Sequence, residues 1–357
     1  MKEEEMYARE IDALDTPAVV VDLERLEANI RRLQGLLNDV GVANRPHIKT
    51  HKIPEIARQQ VAAGAIGIAC QKVSEAEVMV AAGLDDIMIP YNIVGGAKLQ
   101  RLMELARRVR LSVTADSPFT AQGYDRAAQE AGLELDVLVE FDTGGHRCGV
   151  QSPAQAAELA RLIDRLPGLH FAGLMTFPHN AYSDLFVRET RRLLAGEGLD
   201  VRCVSYGGTP QMWQIRQRTE ATEYRAGTYV YGDRATVRSG AMTVVQCALH
   251  VIATVVSRPT ANRGVVDAGS KTLTSDLLGF DTYGLILEYP RARLYALSEE
   301  HGHVDFSQCG RKPEIGERVT ILPNHVCPVS NLVDEVMGIR DGRVEVLWPV
   351  AARGKAR

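Results

Sequence analysis

From about residue 24 to about residue 228, short apolar runs alternate with longer segments in which apolar positions recur at helical spacing, the pattern of consecutive βα units. The runs predict strands at Pro46-His47-Ile48-Lys49, Gly67-Ile68-Ala69-Cys70, Ile87-Met88-Ile89-Pro90, Leu111-Ser112-Val113-Thr114, Val137-Leu138-Val139-Glu140-Phe141, Phe171-Ala172-Gly173-Leu174-Met175 and Val201-Arg202-Cys203-Val204, with a weaker one at Ala221-Thr222-Glu223-Tyr224. Alanine- and leucine-rich helices lie between them, such as Ser74 to Ala82, where Ser74 is placed to cap and Glu75 and Glu77 favour the N-terminal dipole. About eight such units predict a closed parallel (β/α)8 barrel of the TIM type. After Gly240 helical spacing nearly vanishes, and alternating or β-branched runs take over at Thr243 to Val256, Val265-Val266-Asp267, Arg318 to Leu322 and Arg343 to Leu347. Turn residues at Lys312-Pro313, Glu314-Ile315-Gly316 and Asp341-Gly342 separate them, which predicts a largely antiparallel second domain. The early run Ala18-Val19-Val20-Val21-Asp22 is expected to join that sheet. The fold class is therefore α/β, a barrel over residues 24–240 followed by a mainly β domain over 241–357 together with 1–23.

Composition narrows the function. The chain has 357 residues, enough for a barrel and an appended domain, and its 45% hydrophobic and 24% charged residues are those of an ordinary globular protein. Lys and Arg total 41 against 45 Asp and Glu, a formal net charge of −4, so no basic field is available to wrap nucleic acid or adhere to acidic lipid. The N-terminal run MKEEEMYAREIDALD is acidic and lacks the apolar stretch of a signal peptide, and no later run is long enough to span a bilayer. Six cysteines lie far apart without paired spacing, which argues against a disulfide framework and for a reducing cytoplasm.

Two segments carry candidate chemistry. Arg45-Pro46-His47-Ile48-Lys49-Thr50-His51-Lys52 sets two lysines and two histidines at the carboxyl end of the first barrel strand, the end at which such barrels hold their active sites. A lysine kept partly desolvated and near other cations has a lowered pKa and can attack a carbonyl to form a Schiff base. Strand alternation would turn Lys49 inward with His47, so Lys49 is preferred to Lys52. The second segment, Ser205-Tyr206-Gly207-Gly208-Thr209-Pro210, follows the seventh strand. Its glycines allow backbone N–H groups to approach an anion, and Thr209 as cap with Pro210 in the first turn would define a helix N-terminus suited to phosphate. A strand-end lysine with a late-barrel phosphate site points to pyridoxal 5′-phosphate, whose aldehyde needs the first and whose ester needs the second.

With these motifs the chain resembles the alanine-racemase-like, fold type III pyridoxal phosphate enzymes, and most closely the D-threonine aldolase and D-serine dehydratase group. The matching series continues with Glu140-Phe141-Asp142-Thr143-Gly144-Gly145-His146-Arg147-Cys148-Gly149, Tyr224-Arg225-Ala226-Gly227-Thr228-Tyr229, Glu299-Glu300-His301-Gly302 and Pro323-Asn324-His325-Val326-Cys327. The resemblance implies that Lys49 bonds the cofactor and moves the proton at the substrate α-carbon. It places Arg147 beside the cofactor's phenolic oxygen, Gln71 near its ring, Tyr182 at its pyridine nitrogen, and Gly208, Thr209, Gly227 and Thr228 at its phosphate. His325 and Cys327, two apart at the end of a β run, would project on one face and share a metal, for which a thiolate and an imidazole favour Zn²⁺, with Mn²⁺ or another divalent ion the alternative and water completing the shell.

The implied activity is metal-assisted cleavage of a β-hydroxy-D-amino acid to glycine and an aldehyde, with His51 as a candidate base. The alternative is elimination by a D-serine or 3-hydroxy-D-aspartate dehydratase, giving ammonia and a 2-keto acid. Cys327 points to the dehydratase branch, whereas the stretch from Asn324 to Val336 looks more like the aldolase-like group. A pyridoxal phosphate carrier without a reaction would need neither the second domain nor the metal motif. A homodimer follows from the resemblance as well.

Overall fold

The alternating pattern folds into a ring of eight parallel strands. Their order is Ala43–Asn44, Glu223–Arg225, Cys203–Gly207, Leu169–Met175, Leu135–Glu140, Arg110–Ala115, Asp86–Ile89 and Ile68–Ala69. A single bridge between His47 and Ala69 closes the ring, flanked by hydrogen bonds from Ile66 N to Asn44 O and from Ala69 N to Pro46 O, both 2.9 Å. The computed structural model describes residues 10–357, so residues 1–9 of the segment assigned to the second domain lie outside the described residues. Two compact units divide the chain: residues 32–49, 54–227 and 355–357 form the barrel unit, and residues 50–53 and 228–354, with the N-terminal segment to Arg31, form the sheet unit.

Local differences from the sequence expectation have simple causes. The first barrel strand is Ala43–Asn44, not residues 46–49: ladder hydrogen bonds reach only as far as His47 N, and the chain then turns into a 3-10 helix at Ile48–Thr50. The helix Val73–Ala81 begins before Ser74, so Ser74 lies inside it. Its first turn is closed instead by Glu75, whose Oε2 accepts from Gln71 N at 2.6 Å and Lys72 N at 3.3 Å. Elsewhere serine followed by proline starts a helix as its chemistry predicts: Ser117 and Ser152 accept from Thr120 N and Gln155 N, with Pro118 and Pro153 opening the helices.

Part of the barrel interior is apolar, with Met88, Leu138 and Met175 packed together. The rest is charged. Arg45 donates through Nε to Glu223 Oε2 at 2.7 Å and through Nη1 to Asp86 Oδ1 at 2.6 Å, which ties three strands together. Burial alone would lower the Arg45 pKa and raise that of Glu223, but their mutual attraction outweighs it and keeps both charged. Ser205 donates to the other oxygen of Glu223, and the buried Arg225 donates to Ser205 Oγ and, at 3.1 Å, to Thr176 O.

The sheet unit holds a nine-stranded sheet. Leu249–Ser257 lies at its centre, pairing antiparallel with Ala18–Asp22, Arg263–Val266 and Arg318–Pro323. Ala18–Asp22 also pairs with Glu335–Arg340, in parallel, so the early strand belongs to this sheet. Leu14, Ala18, Val20, Ile252, Ile339 and Val344 form a core cluster against it. All six cysteines are free, and among the described residues no helix is long and apolar enough to cross a membrane.

Removing the central cation from a buried ion network takes from Glu223 and Asp86 the cation that lies closest to them. Arg45→Met is expected to lower stability by about 3–5 kcal/mol, read by equilibrium urea unfolding; a loss below about 1 kcal/mol would show that Arg45 does not hold the barrel's interior charges.

Candidate active site

In the barrel unit the chain leaves the ladder at His47, whose N donates to Ala226 O at 2.8 Å. The Nδ1 of His47 accepts from Lys49 N at 3.3 Å, so in the neutral ring Nε2 carries the proton and donates to Gln71 Oε1 at 3.0 Å. Lys49 therefore sits on a 3-10 turn fixed by His47 and not on an alternating strand. Its Nζ lies 5.6 Å from the centre of the Phe177 ring, and the Arg147 guanidinium lies 5.0 Å from the same centre. Phe177 is 37% exposed and precedes a cis peptide to Pro178. A Cβ on Gly208, whose φ is +117°, would stand 3.3 Å from the Phe177 ring and 2.7 Å from Gln211 Oε1, so only glycine fits there. Lys49, Arg147 and Gly208 thus converge on one aromatic side chain that sequence reasoning missed.

The loop carrying Arg147 is shaped by Asp142. Its Oδ1 accepts from the N–H groups of Gly144, Gly145 and His146 at 2.9, 2.7 and 3.2 Å. Burial would raise its pKa, but these N–H groups hold it below the usual carboxylate range. With Asp142 occupied, the carboxylate facing Arg147 is Glu140, 3.8 Å away. Burial pushes the Glu140 carboxyl up to about 7; Arg147 opposes this, and Asp116 adds to it.

Gly208, not Thr209, is the N-cap of the helix Thr209–Gln217, which is of 3-10 type. Tyr224 Oη donates to Gly208 O at 2.6 Å and lies 3.3 Å from His179 Nε2. His179 was also not foreseen: it stacks on Tyr206, its buried Nδ1 has no hydrogen-bond partner, and burial, then Arg218, lowers its pKa to about 4. The structure does not bring Tyr182 to this group. It is 47% exposed in the first turn of Ala181–Leu194 and lines an outer groove with Pro153, Leu185 and Arg188. Gly227 is the last barrel-unit residue before the sheet unit resumes at Thr228, the start of a short 3-10 helix.

Four of the expected residues lie in the sheet unit. His325 and Cys327 do not end a strand. The strand Arg318–Pro323 stops first, His325 is the N-cap of the helix Val326–Leu332, and Cys327 lies in its first turn. The turn from the extended His325 into the first helical turn, not strand alternation, brings them together, and they hydrogen-bond each other. Around the sulfur, Thr50 Oγ1 lies at 3.2 Å and Thr228 Oγ1 at 3.7 Å. His51 is fully buried, its Nδ1 accepting from Ile53 N at 3.1 Å and its ring edge-on to Tyr231. Tyr231 Oη is buried without a hydrogen-bond partner. Burial would lower the His325 pKa, but Cys327, Asp276 and Asp233 raise it to about 9.

Both expected groups can be tested against these residues. The Gly208 cradle and the Lys49 amine fit a phosphorylated aldehyde. Among the described residues no three or more His, Cys, Asp or Glu side chains gather to hold a metal. The thiolate and imidazole pair suits a divalent ion whose remaining positions are filled by water or substrate.

Comparison with known proteins shows the family. Residues 21–235 match the family described as alanine racemase, N-terminal domain, and residues 248–339 match the putative serine dehydratase domain. The chain is 37% identical to D-threonine aldolase of Arthrobacter sp over 96% of its own length and 94% of the relative's. It is 32% identical to D-threo-3-hydroxyaspartate dehydratase of Delftia sp. strain HT23, over 88% and 91%. The crystal structure of D-threonine aldolase from Filomicrobium marinum superposes with a TM-score of 0.90 at 33% identity, covering 98% of this chain and 99% of that one.

Glu140 takes up its proton near pH 7 in the fold and near 4.5 when unfolded, so its contribution to stability is complete below pH 4.5 and is lost as pH rises through about 7. In the cofactor-free protein, the stability difference between Glu140→Gln and the parent should shift by about 3 kcal/mol in favour of the variant across that range, measured by urea unfolding at a series of pH values. A pH-independent difference would place the Glu140 carboxyl at its ordinary value.

Proposed function

Because the chain belongs to the family of the alanine racemase N-terminal domain, we propose that it is a pyridoxal phosphate-dependent lyase that cleaves β-hydroxy-D-amino acids to glycine and an aldehyde. The observation that carries this reading is the convergence of Lys49, Arg147 and Gly208 on Phe177 in a chain 37% identical to a D-threonine aldolase along nearly its whole length. Pyridoxal phosphate, when bound, takes up the electron pair released at the substrate α-carbon. Lys49 supplies the amine that bonds its aldehyde, Gly208, Thr209, Gly227 and Thr228 hold its phosphate, and Arg147 and Gln71 hold its ring.

His325 and Cys327 would hold a divalent ion, Zn²⁺ by their donor chemistry, which makes the substrate's β-hydroxyl more acidic. His51 or a water takes the hydroxyl proton as the Cα–Cβ bond breaks and the aldehyde carbonyl forms. Lys49 Nζ then delivers a proton to the α-carbon, completing glycine. The homodimer and the cytoplasmic location belong to the same proposal, on the resemblance and on the free cysteines.

A second reading is favoured by Cys327. With the same residues, removal of the α-proton by Lys49 and departure of the β-hydroxyl would lead to ammonia and a 2-keto acid, the outcome expected of a dehydratase. The deciding experiment gives metal-replete enzyme D-threonine beside a chelated control. Glycine and acetaldehyde are expected; ammonia and 2-ketobutyrate instead would overturn the aldolase reading in favour of the dehydratase.

Lys49→Ala is expected to abolish both the visible absorbance of the bound cofactor and turnover. His325→Ala should abolish turnover while that absorbance persists. Retained turnover in either variant would remove the role assigned to that residue.

A further inference from the structure

The loop after the short helix Ser270–Leu273 carries a carboxylate that the function described so far does not use. Asp276 Oδ2 lies 2.7 Å from His325 Nδ1. We propose that Asp276 is the positioning residue of the metal pair, holding the Nδ1–H of His325 and thereby leaving Nε2 as the nitrogen that gives up its proton to bind a metal. This rests on the reading of His325 and Cys327 as metal ligands. A neutral imidazole has one N–H and one lone pair, so the partner of one nitrogen decides whether the other can bind a metal. With Nδ1 taken by Asp276, Nε2 is the nitrogen left for the Cys327 side, where His325 has its second side-chain hydrogen bond.

The surrounding loop is built to hold this carboxylate still. Its other oxygen accepts from Leu278 N, and Asp276 N donates to Thr274 Oγ1, both at 3.3 Å. Thr274 and Leu278 have φ of +62° and +47°, left-handed conformations that non-glycine residues keep only where the surroundings enforce them. Here they are enforced. Asn324, the neighbour of His325, donates to Thr282 O at 2.7 Å and Leu277 O at 3.4 Å, and Arg234 Nη1 donates to Asn324 Oδ1 at 2.7 Å and Thr282 Oγ1 at 3.0 Å. Arg238 donates to Leu278 O at 2.6 Å, and the guanidinium groups of Arg234 and Arg238 lie 4.2 and 4.0 Å from the Phe280 ring centre. The same asparagine that precedes His325 thus fixes the loop that aims Asp276 at it.

The test is Zn²⁺ affinity of the full-length, cofactor-loaded protein, by competition with a chromophoric chelator. Asp276→Asn and Asp276→Ala are expected to bind Zn²⁺ 10–100-fold more weakly, and Asp276→Glu to recover part of the loss. The asparagine variant keeps the shape of the loop but its amide can donate to Nδ1, which puts the ring proton on Nε2. In protein saturated with Co²⁺, the visible d–d bands of the asparagine variant should differ from the parent's, a signature that a merely structural role would not produce. Affinity within about twofold of the parent in both the Asn and Ala variants, with unchanged Co²⁺ bands, would overturn the proposal. His325→Ala and Cys327→Ala distinguish the two levels: if they also bind Zn²⁺ unchanged, the metal reading itself fails, and if only they lose affinity, the positioning role alone fails.

Discussion

Charge enclosed inside the barrel is the constraint on which the rest of the barrel unit depends. Arg45, Glu223 and Arg225 lie out of water, where an unpaired charge is prohibitively unstable, so each must meet its counterpart. Arg45 reaches Asp86 and Glu223, and Arg225 reaches Ser205, which in turn donates to Glu223. These contacts hold only if the strands Ala43–Asn44, Asp86–Ile89, Cys203–Gly207 and Glu223–Arg225 keep one register. A slip by one residue would turn every one of these side chains to the other face.

The same requirement reaches the candidate site. Glu140, at the end of its strand, feels Arg147 and Arg225, and Arg147 shares the Phe177 ring with Lys49. The basic side chains of Lys49 and Arg147 beside one aromatic ring make a region that favours an anionic ligand. The Gly208 turn adds backbone that approaches closely because no side chain is there.

In the sheet unit the corresponding device is a helix start. His325 as cap and Cys327 in the first turn bring a nitrogen and a sulfur to one place, with Thr50 and Thr228 hydroxyls beside the sulfur. The loop through Asp276 supplies the orientation that two donors on one short helix cannot provide for themselves.

Much of this was legible in the chain. The βα alternation, the antiparallel second domain and the early strand in its sheet follow from periodicity, because burial of one face or both is written directly into apolar spacing. The segments around Lys49, Arg147, Gly208 and His325 also stood out by residue type, and the structure brings Lys49, Arg147 and Gly208 to one aromatic ring. What only the tertiary structure decided is which groups meet. Phe177, His179 and Asp276 carry no motif and gain their roles from neighbours distant in sequence, such as Arg147 at 5.0 Å from the Phe177 ring and His325 at 2.7 Å from Asp276. Local exchanges were likewise beyond the sequence: Lys72, with Glu75 reaching back to it, in place of Ser74 at the helix start, Gly208 in place of Thr209, Tyr182 turned to the outer helices, and Lys49 on a turn where a strand was expected. Each depends on which hydrogen-bond partner the packed neighbours leave available, and that competition is settled only once the chain has folded.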